Sequence, residues 1–266
     1  MSCKHHAKFC FPECTQWGRG CRHLLPRKYL SNDLVTGFKN VFTNKAPKQH
    51  KAIERWISLS RPLRHLKGDG SSADRRLKDK FDEKKLSDFF AVFDDFFFRG
   101  ALTPWVVIKL VDFIESGDPD TIIFGDAYDY DRDGKKCRIR IAKPKETWTL
   151  EIVQKMMDTI LHEMTHAVFV VFNCRGSACD SPISRATHQG VYGSEHGPNW
   201  RRLGQAIDNE ANVSLRPLQG SWYMGAGGWD FSHRQEVEKA FASMIRLSLT
   251  EHEASRVEEA MFKRDL

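Results

Sequence analysis

The stretch Leu161-His162-Glu163-Met164-Thr165-His166 decides the interpretation of this chain. It lies within residues 150–172, where apolar residues recur at four-residue steps, a pattern that predicts one long helix. On a helix, His162 and His166 share a face about one turn apart, so both imidazoles can reach one cation. Glu163 is too close in sequence to be a comfortable third ligand, but it is well placed to take a proton from a metal-bound water. The stretch therefore predicts two zinc ligands and a general base.

A zinc site of this kind needs a third protein ligand and an open position for water. Three side chains downstream of the helix are candidates: His188, Glu195 and His196. His196 is preferred, because Gly197 and Pro198 place it at a turn just before a predicted helix, from which its side chain can point back at a neighbouring helix. Glu195 is the second choice, and His188 lies in a polar stretch that is typical of a solvated loop.

Several segments of the chain together resemble the SprT-like domain family. In chain order they are the phenylalanine-rich segment Leu86 to Leu102, the segment Cys137 to Pro144, the helix with His162-Glu163-x-x-His166, and His196-Gly197-x-x-Trp200. The resemblance covers roughly residues 82–210, half of the chain. It implies a zincin-type fold and zinc protease activity, and the family includes Spartan-type proteases, which degrade proteins crosslinked to DNA. By position, it makes His162, His166 and His196 the zinc ligands and Glu163 the catalytic residue. The chain departs from the family's pattern in a long insertion from Cys174 to Tyr192.

The composition is that of a globular protein, since 41% of the 266 residues are apolar and 29% are charged. The longest apolar stretches, Ala167 to Phe172 and Trp105 to Leu110 with Lys109 inside it, are too short to span a bilayer. The N-terminal residues lack the apolar core of a secretory signal, and the seven cysteines are an odd number. These features predict an intracellular protein, nuclear or cytoplasmic, whose cysteines are thiols or metal ligands.

Charge divides the chain into a basic part and a mildly acidic part. Residues 1–80 contain 18 Lys and Arg against 6 Asp and Glu, whereas residues 81–266 contain 23 against 29. A basic N-terminal arm predicts a polyanionic partner, most often DNA, and the alternative is a solvated tail that binds nothing in particular. The arm also contains Cys3, Cys10, Cys14 and Cys21, which either hold a second, structural zinc or are free thiols.

The remaining patterns predict an α+β protein with a small mixed sheet. Helices are predicted over residues 47–59, 81–99 and 150–172 and after Pro198, and strands over residues 106–111, 122–124 and 137–141. Asp133-Gly134 predicts a β-hairpin turn. The acidic residues before it imitate half of a calcium loop, but Arg140 stands where such a loop needs a glutamate. The expected organisation is a basic, partly disordered arm and linker (1–80), a zincin-like domain (81–210) and a C-terminal loop and helical extension (211–266).

These observations favour a zinc-dependent metallopeptidase that hydrolyses peptide bonds in DNA-associated or DNA-crosslinked proteins. A non-catalytic, zinc-stabilised module that binds DNA or chromatin on a zincin scaffold is the alternative, and hydrolysis of a non-peptide substrate is a weaker one. Glu163 distinguishes the first two functions, because a scaffold needs zinc but does not need a base.

Overall fold

The structure is a computed structural model that describes residues 24–43, 45–64, 81–112, 114, 124–144, 148–175, 196–218 and 220–223. These residues form α1 (Ser31–Thr43), α2 (Pro47–Arg64), α3 (Glu83–Phe97), β1 (Val106–Val111), β2 (Gly125–Arg132), β3 (Lys135–Ala142), α4 (Leu150–Phe172) and α5 (Pro198–Ser214). The three strands form one mixed sheet in the order β1-β3-β2, with β1 parallel and β2 antiparallel to β3. The predicted α+β composition and small mixed sheet are thus confirmed.

The hairpin of β2 and β3 forms at the predicted turn. Asp133 and Gly134 both have positive φ, 54° and 73°, as a two-residue turn of the favoured hairpin type requires. The strand predicted over residues 122–124 is tested only at its last residue. Residues 122 and 123 lie outside the described residues, Phe124 is not in a strand, and β2 begins at Gly125. The acidic stretch becomes the strand because it lies at the sheet edge, half-exposed, where pairing with β3 needs no continuous apolar run.

The two central helices follow their sequence signals closely. Helix α3 begins after Asp82, whose carboxylate accepts a hydrogen bond from the Lys85 amide at 2.7 Å, and it buries a row of phenylalanines. Helix α4 begins after Thr149, whose hydroxyl accepts from the Ile152 amide at 3.2 Å. The apolar residues of α4 are buried along its length and pack against β2 and β3. None of the described helices is both long and apolar enough to cross a membrane.

The segment from residue 24 to residue 64 is part of the main core, which corrects the interpretation of residues 1–80 as an arm outside it. Helix α1 was not predicted, and α2 extends to Arg64. Phe38 of α1 and Trp56 of α2 are fully buried in the same core as α3 and α4. Nine of the 18 Lys and Arg of residues 1–80 fall within residues 24–64, so half of this charge decorates packed helices. Amphipathic helices carry charge on one face while they bury the other.

The described residues after α5 also belong to this body. The Gln154 side chain of α4 accepts a hydrogen bond from the Leu218 amide at 2.7 Å, and the Trp56 indole donates to the Arg216 carbonyl at 3.0 Å. Residues 1–23, 65–80, 176–195 and 224–266 lie outside the described residues. They include the four N-terminal cysteines, His188, Glu195 and the bulk of the predicted C-terminal extension, whose interpretations stay predictions.

Candidate metal centre

Two of the predicted ligands lie where the helical spacing places them. His162 and His166 are on successive turns of α4, both partly buried, and their Nε2 atoms are 3.3 Å apart. Their neighbours Met164 and Thr165 are buried, so this part of α4 packs against the core on one side. Packing of the buried face of α4 therefore fixes the orientation of the helix, and with it the side on which the two imidazoles lie.

The third predicted ligand reaches the same place from a different element. His196 precedes the first turn of α5, where Gly197 is the N-cap residue and Pro198 opens the helix. The Arg201 side chain donates from Nε to the His196 carbonyl at 2.8 Å and holds this turn in place. The Nε2 atoms of His196 and His162 are 2.9 Å apart. The preferred third candidate thus joins the other two.

The three imidazoles together fit a metal ion. One ligand atom from each of His162, His166 and His196 lies within 4.8 Å of the others, and no other group of this kind occurs among the described residues. Tetrahedral zinc separates its nitrogen ligands by roughly 3.3 Å, close to the two Nε2–Nε2 distances of 3.3 and 2.9 Å. Burial, followed by the neighbouring His162 and His196, lowers the pKa of His166 to about 3. Burial and the neighbouring His162 and Arg201 lower the pKa of His196 to about 4. Both rings are therefore neutral, which is the form that binds a metal.

Glu163 directly follows His162 in α4 and is buried, with 6% of its surface exposed. It faces the first residue of β2. A Cβ added to Gly125 would lie 3.0 Å from Glu163 Cγ and 3.2 Å from Glu163 Oε1. The Glu163 side chain is therefore held between α4 and β2, and it belongs to the same helix as His162 and His166. Such a group can accept and return a proton during hydrolysis.

A nucleophilic thiol is not available at this place. Cys137 of β3 is fully buried, and burial, followed by the nearby Glu163 carboxylate, raises its pKa to about 12. The thiol is protonated at neutral pH, whereas cysteine chemistry needs the thiolate. Among the described residues, Cys137 therefore supplies no nucleophilic thiol near Glu163.

Two residues of the site had no role assigned from the sequence. The Trp200 ring of α5 lies 4.3–5.1 Å from all three imidazole rings and is 3% exposed. Its Nε1 has no hydrogen-bond partner among the described residues. Gly125 is the second, since it allows β2 to approach Glu163. Trp200 follows His196 by four residues in the first turn of a helix, and this spacing could have indicated that the indole lies near the His196 imidazole. Glycine in a strand often indicates that another group approaches the backbone closely, but the sequence does not show which residue supplies that group.

Comparisons of the chain with protein-family models, with curated proteins and with solved structures found no match.

Proposed function

We propose that this protein is a zinc-dependent metallopeptidase with a zincin-type fold. The observation that carries the proposal is the convergence of three imidazoles on one place, together with a buried carboxylate that directly follows the first of them in the chain. His162, His166 and His196 would hold the zinc, and Glu163 would be the catalytic residue. Three nitrogen ligands leave a position open on tetrahedral zinc, which is the arrangement of catalytic sites rather than of closed structural ones.

The chemistry follows from the position of Glu163. When bound, zinc supplies Lewis-acid activation of water and of the scissile carbonyl. The Glu163 carboxylate takes a proton from the attacking water, the water oxygen forms the new bond to the peptide carbon, and the carbon–nitrogen bond breaks. Glu163 then delivers the same proton to the leaving amine, which returns the residue to its ionised state. Burial beside β2 keeps the carboxylate in one position throughout.

The position of β2 in the sheet also favours a peptide substrate. Among the described strands, β2 lies at the end of the order β1-β3-β2, and it begins at Gly125, beside Glu163. An extended peptide can add to such an edge as a further strand, with main-chain hydrogen bonds that do not depend on sequence. This geometry favours peptide hydrolysis over the hydrolysis of a small non-peptide substrate.

The proposed substrates are proteins associated with DNA or crosslinked to it. Two features support this choice: the resemblance to Spartan-type proteases and the surplus of positive charge in residues 1–80. A basic surface next to a peptidase site would retain the enzyme on DNA while it degrades the attached protein. The proposed DNA contact of residues 1–80 and the proposed substrate class are independent of the proposed zinc chemistry, so each can be refuted without the other.

The test is proteolysis by the zinc-loaded full chain. A protein crosslinked to DNA, the same protein free, and the free protein with added DNA are compared as substrates. Cleavage should disappear with a zinc chelator and return when zinc is restored. Binding of zinc and DNA without any cleavage would favour the rival function, a non-catalytic DNA- or chromatin-binding module. Equal cleavage of all three substrates would support the peptidase but not the proposed substrate class.

A further inference from the structure

Four aromatic rings pack against one another at the candidate metal centre. The ring centres of His162, His166 and His196 lie 4.7–5.1 Å apart, and the ring centre of Trp200 lies 4.3–5.1 Å from each of them. Packed aromatic pairs have ring centres about 4.5–7 Å apart, so these contacts are at the close end of that range. The four ring centres therefore form a nearly regular tetrahedron, in which Trp200 lies over the triangle of the three imidazoles.

Trp200 closes one side of this triangle. Its ring is stacked on the His166 ring with an angle of 29° between the two planes, and only 3% of the residue is exposed. Because the indole packs against all three imidazoles, an ion does not fit between them. A metal held by the three Nε2 atoms must therefore lie towards the opposite side of the triangle. The open position of a tetrahedral ion is opposite its three protein ligands, so it faces away from Trp200.

Hydrogen bonding does not explain why an indole occupies this buried position. The Trp200 Nε1 atom is buried and has no hydrogen-bond partner among the described residues. An unpaired buried donor destabilises a folded state, and a phenyl or alkyl side chain would not carry this cost. What the indole offers instead is a rigid, flat face that is large enough to contact three rings at once. The contact with the imidazoles is therefore the property of Trp200 that needs a function.

The start of α5 supplies both the third candidate ligand and this ring. Trp200 follows His196 by four residues, and Arg201 donates from Nε to the His196 carbonyl at 2.8 Å. The helix itself packs against α1 and α4. The packing of α5 thus sets the position of the indole, and the same packing brings His196 to His162.

We propose that Trp200 is a positioning residue that closes the side of the metal centre opposite its open position. It would hold the three imidazoles in the orientation that binds the ion, and it would restrict water and substrate to one side of the site. Loss of the ring would let the imidazoles rotate and would open a further position on the ion. The inference rests on the zinc site of the proposed function but not on peptide hydrolysis, so it can be tested without a substrate.

The test uses the full chain with two metals. Competition with a chelator measures zinc affinity, and the visible absorption of the cobalt(II)-loaded protein reports coordination number, because four-coordinate cobalt absorbs more strongly than five- or six-coordinate cobalt. The variants are Trp200→Leu and the conservative Trp200→Phe. Trp222→Leu is the matched control, since Trp222 is equally buried but packs against Trp56 and Phe93 rather than against an imidazole. The unfolding temperature of each metal-free variant is measured as well.

Trp200→Leu should weaken zinc affinity about ten- to a hundredfold, and its cobalt form should lose the larger part of the visible absorption. Trp200→Phe should recover the four-coordinate spectrum, because it restores an aromatic ring. Trp222→Leu should lower the unfolding temperature while leaving zinc affinity and the cobalt spectrum as in the parent. If Trp200→Leu does not fold, Trp200→Met, whose side chain is flexible and has no ring, carries the same expectation.

Parental zinc affinity and a parental cobalt spectrum in Trp200→Leu would overturn the inference. The same losses in Trp222→Leu would overturn it as well, because destabilisation of the fold would then explain them. A parent chain that binds no zinc would refute the metal centre and this inference together. Zinc binding by the parent without peptide hydrolysis would refute only the proposed reaction, so the two failures are distinguishable.

Discussion

Gly125 and Glu163 approach so closely that a Cβ on the glycine would lie 3.0 Å from Glu163 Cγ. The first residue of β2 thus forms one wall of the place that the carboxylate occupies. A side chain there would compete with the position of the proposed general base, although the two residues are 38 positions apart in the chain. Through this contact, the position of β2 limits where the Glu163 side chain of α4 can lie.

Gly125→Ala should therefore lower kcat while leaving zinc content unchanged. A displacement of the carboxylate by about 1 Å is expected to reduce kcat about a hundredfold, with a smaller effect on KM. The added Cβ would also lie 2.6 Å from Thr159 Cγ2. Thr159→Ser removes that methyl group and is the matched partner variant. If Gly125→Ala/Thr159→Ser recovers the activity, the loss came from Thr159 and not from Glu163.

Glu163→Gln should keep the fold and the zinc and should reduce peptide hydrolysis about a hundred- to ten-thousandfold. Glutamine has nearly the same shape but cannot accept the proton of water. Glu151→Gln is the control, since Glu151 lies in the first turn of the same helix and pairs only loosely with Lys155, at 3.4 Å. Hydrolysis by Glu163→Gln at the parental rate would refute the proposed mechanism and leave the scaffold function.

His196→Ala should lose the larger part of the zinc, because two histidines leave the site incomplete. The purified parent should contain about one tightly held zinc in this site, as measured by mass spectrometry of the native protein. His50→Ala is the control, since His50 is an exposed imidazole of α2. Full zinc content in His196→Ala, together with its loss in Glu195→Ala, would show that the third ligand is Glu195.

Asp158 should make stability depend on pH. Burial raises the pKa of this α4 carboxyl to about 7, against an ordinary value of 3.8. The folded state therefore binds more protons than the unfolded state between these values, so stability falls as pH rises from about 4 to about 7. Asp158→Asn should remove this dependence and be more stable than the parent at pH 8 by about 1–2 kcal/mol, with a smaller difference at pH 5.

Urea unfolding at both pH values measures this effect, with Asp133→Asn as the control. Asp133 is an exposed turn residue whose left-handed conformation asparagine also adopts. A stability difference between Asp158→Asn and the parent that is the same at both pH values would contradict the expectation.

The basic N-terminal part should be truncated at residue 23 rather than at residue 80. Deletion of residues 1–80 removes Phe38 and Trp56 from the core and should abolish folding. Residues 1–23 contain only 4 of the 18 Lys and Arg of that part. Their deletion should leave DNA binding strongly dependent on salt, with a loss of about a thousandfold between 50 and 200 mM if about six phosphates remain neutralised. Complete loss of DNA binding on this deletion would instead assign the DNA contact to residues 1–23.

The sequence by itself determined the local features of this protein. The four-residue spacing of His162 and His166 sets them on one helical face, and Thr149 caps the start of that helix. Asp133-Gly134 sets the hairpin, because the turn needs two residues that tolerate positive φ. Each of these features depends on interactions between residues that are close in the chain, so it can be predicted from a short sequence pattern.

The sequence also predicted His196 as a ligand, but less directly. The turn before α5 indicated that its side chain could point at a neighbouring helix, without showing which one. The 2.9 Å distance to His162 arises because α5 packs against α4. Likewise, the charge of residues 24–64 suggested a tail, while the apolar positions of Phe38 and Trp56 placed that segment in the core.

Only the tertiary structure decided which distant residues meet. Gly125 against Glu163, and Trp200 against His162 and His166, join segments whose separation in the chain carries no pattern. Such contacts are set by how helices and strands fill space together, and many sequences satisfy the same local rules with different neighbours. Spacing along one helix fixed His162, Glu163 and His166, whereas packing between α4 and α5 brought His196 to them.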